Sequence, residues 1–209
     1  GTSCIYPKFS KTPIKEESLL TGKLEKTNQC YAIAKISGIK LCEALIEDFK
    51  VDIICLMPTN VYGHNDNFHK VNGHVIPAMI TKFEEVIKKK KNEITLLGTG
   101  KPLREFIHAD DLASSILFSL NINKKKIKKI FGFGLPILNI GTKDIVSIKK
   151  LSKLIAKFSG FKGKIKFDKK SPDGTFKKNL DISKITKLGW SPKIKLYEGL
   201  KEVIQKRRK

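Results

Sequence analysis

No run of about 18 apolar residues occurs in the sequence, so no membrane-spanning helix is expected. The chain opens on GTSCIYPKF, with no Met, no basic start and no apolar leader core, and it reads as the interior of a protein. Cysteine is sparse: Cys4, Cys30, Cys42 and Cys55 are scattered, with no C-x-x-C pair. That spacing offers no disulfide framework and points to reduced thiols in a cytoplasmic compartment. The Cys and His spacings fit no tetrahedral metal site, so no metal is expected. Acidic residues are few, 20 against 42 Lys and Arg, for a net charge of +22. Such a balance attracts anions over long range. The lysines, however, are spread along the chain in short runs such as 88–91 and 124–129, without the interleaved aromatics of a nucleic-acid stacking platform. Nucleic acid is therefore not the expected partner. A solvated Lys-rich surface or an anionic small substrate such as a nucleotide accounts for the charge.

What is present is enough apolar residue, 40%, for a packed core. Residues 1–7 read as a strand end entering a loop, and 8–30 as a long polar excursion beside a site. Tyr31 to Phe49 reads as a helix. VDIICLM (51–57) is a continuous β-branched run, as in a buried parallel strand. The Asn-, Gly- and His-rich stretch 58–74 reads as a loop, and His74 to about Lys90 as an amphipathic helix. EITLL and REFIH read as strands joined by GTGKP. In that linker the GTG at 98–100 opens no helix and is a turn, not a phosphate loop. ADDLASSILFSLN is a helix with acidic residues at its start, and 124–129 a charged connector. ILNIG is a strand, SIKKLSKLIAKFSG a helix ending at Gly160, and KIKFD a strand. SPDGTFKKNLD is a loop, and two short helices close the chain. Alternation of this kind predicts an α/β fold with a parallel sheet. There is no internal repeat.

Tyr31 and Lys35 stand four apart, on one face of a helix. A free phenol is a poor base at neutral pH, and a neighbouring ammonium favours its phenolate. A Tyr tuned this way can pass a proton to a carbonyl or alcohol oxygen. Y-x-x-x-K alone is a weak motif that many helices carry by chance. Here it lies between GTSCIYP, a hydroxyl-bearing segment, and CLMPTNVYG, a strand followed by a Pro-Thr-Asn loop. That order resembles the extended short-chain dehydrogenase/reductase family. Together with SCIYPK, HVIPA, G-G-P-REFIH-DD and PDGT-KK-LD it resembles, over essentially the whole chain, the GDP-L-fucose synthases within that family.

The resemblance implies a bifunctional enzyme. It would convert GDP-4-keto-6-deoxy-D-mannose to GDP-L-fucose by C3/C5 epimerisation and NADPH-dependent C4 reduction. The implied catalytic residues are Thr2, Cys4, Tyr31, Lys35 and His74. Cys4 and His74 would exchange protons on opposite faces of the sugar, Tyr31 would protonate O4, and Lys35 would tune Tyr31 and bind the ribose. Thr2 stands where the family has Ser and keeps the hydroxyl. Gly1, Thr2, Ser3, Lys35, Pro58, Thr59, Asn60, Val61 and His74 would line the NADP(H) site. Lys82, Leu97, Arg104 and Asp173 would bind substrate, Arg104 with a planar fork suited to the pyrophosphate. Lys82 replaces an expected Arg, and Leu97 a frequent Trp. His64, His69 and His108 read as structural or exposed.

The fold expected is the C-terminal portion of a Rossmann-type doubly wound parallel sheet plus a smaller α/β substrate-binding domain. Residues 1–73 would form the partial NADP-binding domain. Residues 74–209 would be mainly substrate domain, with about 105–141 returning to the Rossmann sheet. The family's G-x-x-G-x-x-G turn is not in the sequence, so a fragment is expected, with about a hundred residues to precede Gly1 and hydride transfer to require them. The helix from Tyr31 is apolar nearly all round, which predicts a homodimer of the full-length enzyme with Ile39, Glu43 and Ile46 at or near the interface. Two alternatives stay open: another nucleotide-sugar epimerase or dehydratase of the superfamily, and an inactive basic remnant or binding protein. A simple 4-epimerase needs no Cys4–His74 pair.

Overall fold

Apolar residues in two periodicities build two cores that share one strand. The computed structural model describes residues 1–69 and 73–207. Helix α1 (Gln29–Phe49) buries Ala32, Ile36 and Ile39, a single stripe at helical spacing. It lies beside β1 (Cys55–Pro58), which pairs in parallel with β5 (Ile137–Ile140). β2 (Asn60–Tyr62) runs parallel to the C-terminal half of β4 (Leu103–His108). The N-terminal half of β4 lies between β6 (Ile145–Ser147), antiparallel, and β8 (Lys177–Lys178), parallel. β3 (Glu93–Leu97) pairs in parallel with β7 (Lys164–Asp168). The remaining helices are α2 (Val75–Lys88), α3 (Ala109–Leu120), α4 (Lys124–Phe131), α5 (Ile148–Ser159), α6 (Ser183–Leu188) and α7 (Leu196–Arg207). Among the described residues no helix is long and apolar enough to cross a membrane.

Side chains alternate along a strand, so neighbours on β4 enter different cores. Ile107 packs with Ile36, Met57, Leu138 and Trp190 in the first core. Phe106 packs with Tyr62, Ile80, Phe83 and Leu151 in the second. The same alternation sends Arg104 and Glu105 to opposite sides. β4 therefore sends side chains into both halves of the molecule.

Several expected elements are corrected. Residues 3–5 form a 3-10 turn, not a strand end, because the Thr2 hydroxyl caps it by accepting from the Cys4 N–H at 3.3 Å. The strand expected at 51–57 is confined to Cys55–Pro58, since Val51 and Asp52 are exposed ahead of the first pairing partner. The loop expected at 58–74 contains β2, a strand only because Phe106–His108 lies alongside it; residues 70–72 of that loop lie outside the described residues. EITLL and REFIH are strands as expected, β3 pairing with β7 and β4 with β2, β6 and β8. The charged connector at 124–129 is helix α4, whose Asn123 side chain accepts from the Lys125 N–H at 2.8 Å while Ile127 and Phe131 face the first core. Ile39 is buried inside its own chain, so it is not available to a partner.

Candidate active site

The segment that opens the chain is fastened against α1 by its own chemistry. The 3-10 turn Ser3–Ile5 packs on α1, and Ile5 and Tyr6 are buried in the first core. Tyr6 donates to Asn139 Oδ1 at 2.6 Å. Between these anchors Cys4 is half-buried, with its sulfur 3.8 Å from Lys178 Nζ. Thr2 uses its oxygen as an acceptor for the Cys4 N–H, which leaves its own hydroxyl proton to donate.

Tyr31 and Lys35 occupy the first turns of α1, both exposed. The Lys35 ammonium lies 5.6 Å from the centre of the Tyr31 ring, within cation–π reach. Neither head group is tied to another described side chain, so both are free for a ligand. His74 caps the start of α2 with an exposed side chain, and its Nδ1 lies 3.7 Å from Asp66 Oδ1. A carboxylate at Nδ1 leaves Nε2 as the nitrogen that faces outward. Asp66 is a neighbour of His74 that sequence reasoning missed, although it opens the DNFH stretch just ahead of HVIPA. No hydrogen bond joins Cys4, Tyr31 and His74 to one another; each is presented by a different element.

The Pro-Thr-Asn loop is held by one carbonyl. Thr59 Oγ1 donates to Glu105 O at 3.1 Å and Asn60 Nδ2 to the same oxygen at 2.9 Å. The Thr59 N–H donates to Ile140 O at 2.9 Å. Pro58 ends β1 and Val61 packs against the first core. Gly1 lies close to β1: a Cβ there would stand 2.3 Å from Met57 Sδ and 3.0 Å from the Leu56 carbonyl oxygen. A side chain there would have to displace the buried Met57 side chain.

A second cluster lies on the other face of β4. Lys82, Leu97, Arg104 and Asp173 line one cleft of about 260 Å³, closed at one side by Val75, the residue after His74. Arg104 donates through Nη1 to Leu103 O at 2.8 Å and to Thr175 O at 2.6 Å. These bonds fix the guanidinium plane and leave its other nitrogens for an anion. Burial lowers the Arg104 pKa from its ordinary value and nearby Asp173 opposes this; Arg remains charged regardless. Asp173 accepts from the Thr99 hydroxyl at 2.6 Å and the Thr99 N–H at 2.9 Å, which hold its carboxyl below the usual range. The GTG turn thus positions Asp173. Gly98, at φ +80°, has no room for a side chain, since a Cβ would meet Asp173 Oδ1 at 2.5 Å. Thr99 is a second residue that the motif reading passed over. His108 is fully buried, edge-on to Tyr62 at 5.3 Å between ring centres. Among the described residues no group of three His, Cys, Asp or Glu is placed to hold a metal.

A profile of the NAD dependent epimerase/dehydratase family matches residues 1–141, two-thirds of the chain. The chain belongs to this family. Its relatives include the probable GDP-L-fucose synthase 1 of Oryza sativa subsp. japonica, 48% identical over 202 residues, or 97% of this chain and 59% of that protein. The chain thus spans about three-fifths of the length of that relative. Among solved structures, a GDP-6-OMe-4-keto-L-xylo-heptose reductase from C. jejuni superposes with a TM-score of 0.89 at 32% identity, over 100% of this chain and 68% of that one. A GDP-L-fucose synthetase from Naegleria fowleri bound to NADP superposes with a TM-score of 0.84 at 26% identity, over 98% and 63%. The α/β architecture with parallel strand pairs is the one these structures share.

Proposed function

We propose that this chain carries the catalytic and substrate-binding groups of an enzyme that makes GDP-L-fucose from GDP-4-keto-6-deoxy-D-mannose with NADPH. The observation that carries this reading is the cleft that gathers Lys82, Leu97, Arg104 and Asp173 beside the start of α2, where His74 stands. Arg104 and Lys82 suit the charge of a nucleotide diphosphate, and Asp173 suits hydroxyl or amino donors of the nucleoside. The first core, with α1 and the Pro-Thr-Asn loop, is the catalytic unit; the second, with the cleft, is the substrate unit.

The residues present fit the nicotinamide end of NADP(H). Gly1 keeps the backbone bare against β1, Thr2 and Ser3 continue that edge, Thr59 and Asn60 are pinned to Glu105 O, and Val61 leads into β2. The free Lys35 ammonium would hold the ribose. When bound, the cofactor supplies a hydride to C4. Tyr31 gives its proton to O4, and the Thr2 hydroxyl donates to the same oxygen. Before that, protons alpha to the C4 ketone are exchanged. One of Cys4 and His74 removes the proton as the C–H electron pair passes into the enolate, and the other returns a proton on the opposite face. Asp66 orients His74 for this. The free cysteines suit a reducing, cytoplasmic setting. An exposed apolar strip on α1, with Ile33 and Leu41, suits a homodimer of the intact enzyme. Sedimentation equilibrium of the intact enzyme is expected to give twice the monomer mass at micromolar concentration, and a concentration-independent monomer would overturn the assembly.

The test of the chemistry is solvent exchange. Cys4→Ser is expected to abolish most deuterium wash-in at C3 and C5 in D2O while the reduction of an already epimerised ketone continues. Unchanged wash-in would remove Cys4 from the mechanism. The likeness to a heptose C4 reductase favours one second reading, reduction of a related GDP-keto sugar without epimerisation. Wild-type enzyme that reduces such a ketone with no wash-in at all would establish that reading instead.

A further inference from the structure

Lys178 is the second lysine of the PDGT-KK-LD stretch, where only Asp173 has a role so far, and it is the charged group nearest Cys4 among the contacts described. Its Nζ lies 3.8 Å from Cys4 Sγ, a contact between residues 174 positions apart in sequence. Both side chains are half-buried. No ion pair among the described residues occupies this ammonium, in a chain where Lys8, Lys40, Lys166, Lys184 and Lys206 all hold carboxylates.

The backbone that carries Lys178 is fixed on both sides. β8 lies parallel to β4 with Lys178 opposite Arg104. Just beyond it, Asn179 O accepts from the Ile14 N–H at 2.9 Å, the Leu180 N–H donates to Glu105 Oε2 at 2.9 Å, and the Asp181 N–H donates to Ile14 O at 2.8 Å. The stem of Lys178 thus starts from a fixed backbone, and its half-buried ammonium reaches Cys4. Its strand also borders the substrate cleft, so the same two-residue strand joins Arg104 to Cys4.

We infer that Lys178 is a positioning residue for proton exchange at Cys4. The inference rests on the reading of Cys4 as a proton-exchange group. In that exchange the sulfur is a thiolate on one side of the transfer and a thiol on the other. As the thiolate takes the proton from carbon, the C–H electron pair passes to the enolate; in the reverse sense the thiol gives its proton and the sulfur is left charged. Lys178 keeps all its protons throughout. Its ammonium donates a hydrogen bond to the sulfur and lies against the thiolate whenever that charge is present. A half-buried setting makes the attraction stronger than on an open surface.

The test uses the two thiols as internal standards. Iodoacetamide labelling of the chain at pH 7, resolved by peptide mass spectrometry, gives separate rates for Cys4 and the exposed Cys30. Because the thiolate is the nucleophile, Lys178→Met is expected to slow Cys4 about tenfold and leave Cys30 unchanged, while Lys178→Arg keeps Cys4 within about threefold of wild type. Equal Cys4 rates in wild type and Lys178→Met overturn the inference. Should Lys178→Met fail to fold, the wild-type chain still decides: rising salt is expected to slow Cys4 relative to Cys30, and a constant ratio overturns it. In the active enzyme, deuterium wash-in should fall with Lys178→Met and return with Lys178→Arg, whereas a purely structural role would not be rescued by charge. Failure of the parent reading looks different: Cys4→Ser would keep full wash-in, whatever the labelling rates show.

Discussion

Tyr31→Phe is expected to slow the single-turnover hydride transfer of the intact enzyme by about 10²- to 10⁴-fold, the usual worth of a positioned general acid. The geometry makes this substitution a clean probe. Tyr31 is exposed, and its hydroxyl bonds to no described residue, so removing the oxygen opens no cavity and orphans no partner. The ring still meets the Lys35 ammonium, since cation–π attraction needs only the aromatic face. Stability should therefore stay within about 0.5 kcal/mol of wild type. Nucleotide-sugar affinity should also hold, because Lys82, Arg104 and Asp173 stand on other elements. The measurement is the loss of NADPH absorbance after rapid mixing with the keto sugar, alongside equilibrium binding of the GDP-sugar. A near-normal transfer rate would show that another group protonates O4.

How much of this could be read from the chain follows the range of the forces involved. Tyr31 and Lys35 were legible because helical spacing is local: four positions apart on one 21-residue helix places them on the same face. The edges of strands were less so. Asn60–Tyr62 is three residues long and gains strand geometry only from Phe106–His108, far off in sequence. Helix α4 was hidden by its lysines: their charge suggests a solvated linker, yet Ile127 and Phe131, at the i, i+4 spacing of one helix face, pack on the first core. The candidate substrate cleft was legible only through family resemblance. Lys82, Leu97, Arg104 and Asp173 come from a helix, two strands and a loop, and no local pattern announces that they converge. The contacts of their neighbours were not legible: Thr99 meets Asp173, Asp66 meets His74 and Lys178 meets Cys4 only in the folded chain.

One strand ties these sites together. On β4, Arg104 faces the cleft, Phe106 and Ile107 fill separate cores, and Glu105 holds the Pro-Thr-Asn loop through its carbonyl. A displacement of β4 would move the candidate substrate cleft and the Pro-Thr-Asn loop together. That makes the anchor of β4 the place where stability and function are coupled.

The anchor is the Glu105 carboxylate, and Glu105→Met is expected to be among the most destabilising single changes in the chain. Glu105 is fully buried. Its Oε1 accepts from the Thr142 N–H at 2.7 Å and the Lys143 N–H at 2.8 Å, and its Oε2 from the Leu180 N–H at 2.9 Å. Burial raises its pKa from the ordinary carboxylate value, while the Leu180, Lys143 and Thr142 N–H groups pull the other way. The loop is shaped around this group. A Cβ on Gly141 would stand 2.5 Å from Oε1, and Lys143 takes a left-handed φ of 65° to turn its N–H inward. Methionine matches the length of Glu but offers no comparable acceptor, so three N–H groups, the buried one of Leu180 and the partly buried ones of Thr142 and Lys143, lose their partners. At about 1–3 kcal/mol for each orphaned donor, the loss is about 3–6 kcal/mol after relaxation. That is a large share of the roughly 5–15 kcal/mol that holds a typical domain folded. For a chain of this size it corresponds to a fall in Tm of roughly 10–20 °C. Glu105→Gln keeps one acceptor oxygen for Thr142 and Lys143 and sets its amide against Leu180, so it should cost about 1–3 kcal/mol. Urea unfolding of the three proteins checks the order. A Glu105→Met chain within 1 kcal/mol of wild type would mean that water replaces the carboxylate and that β4 is anchored elsewhere.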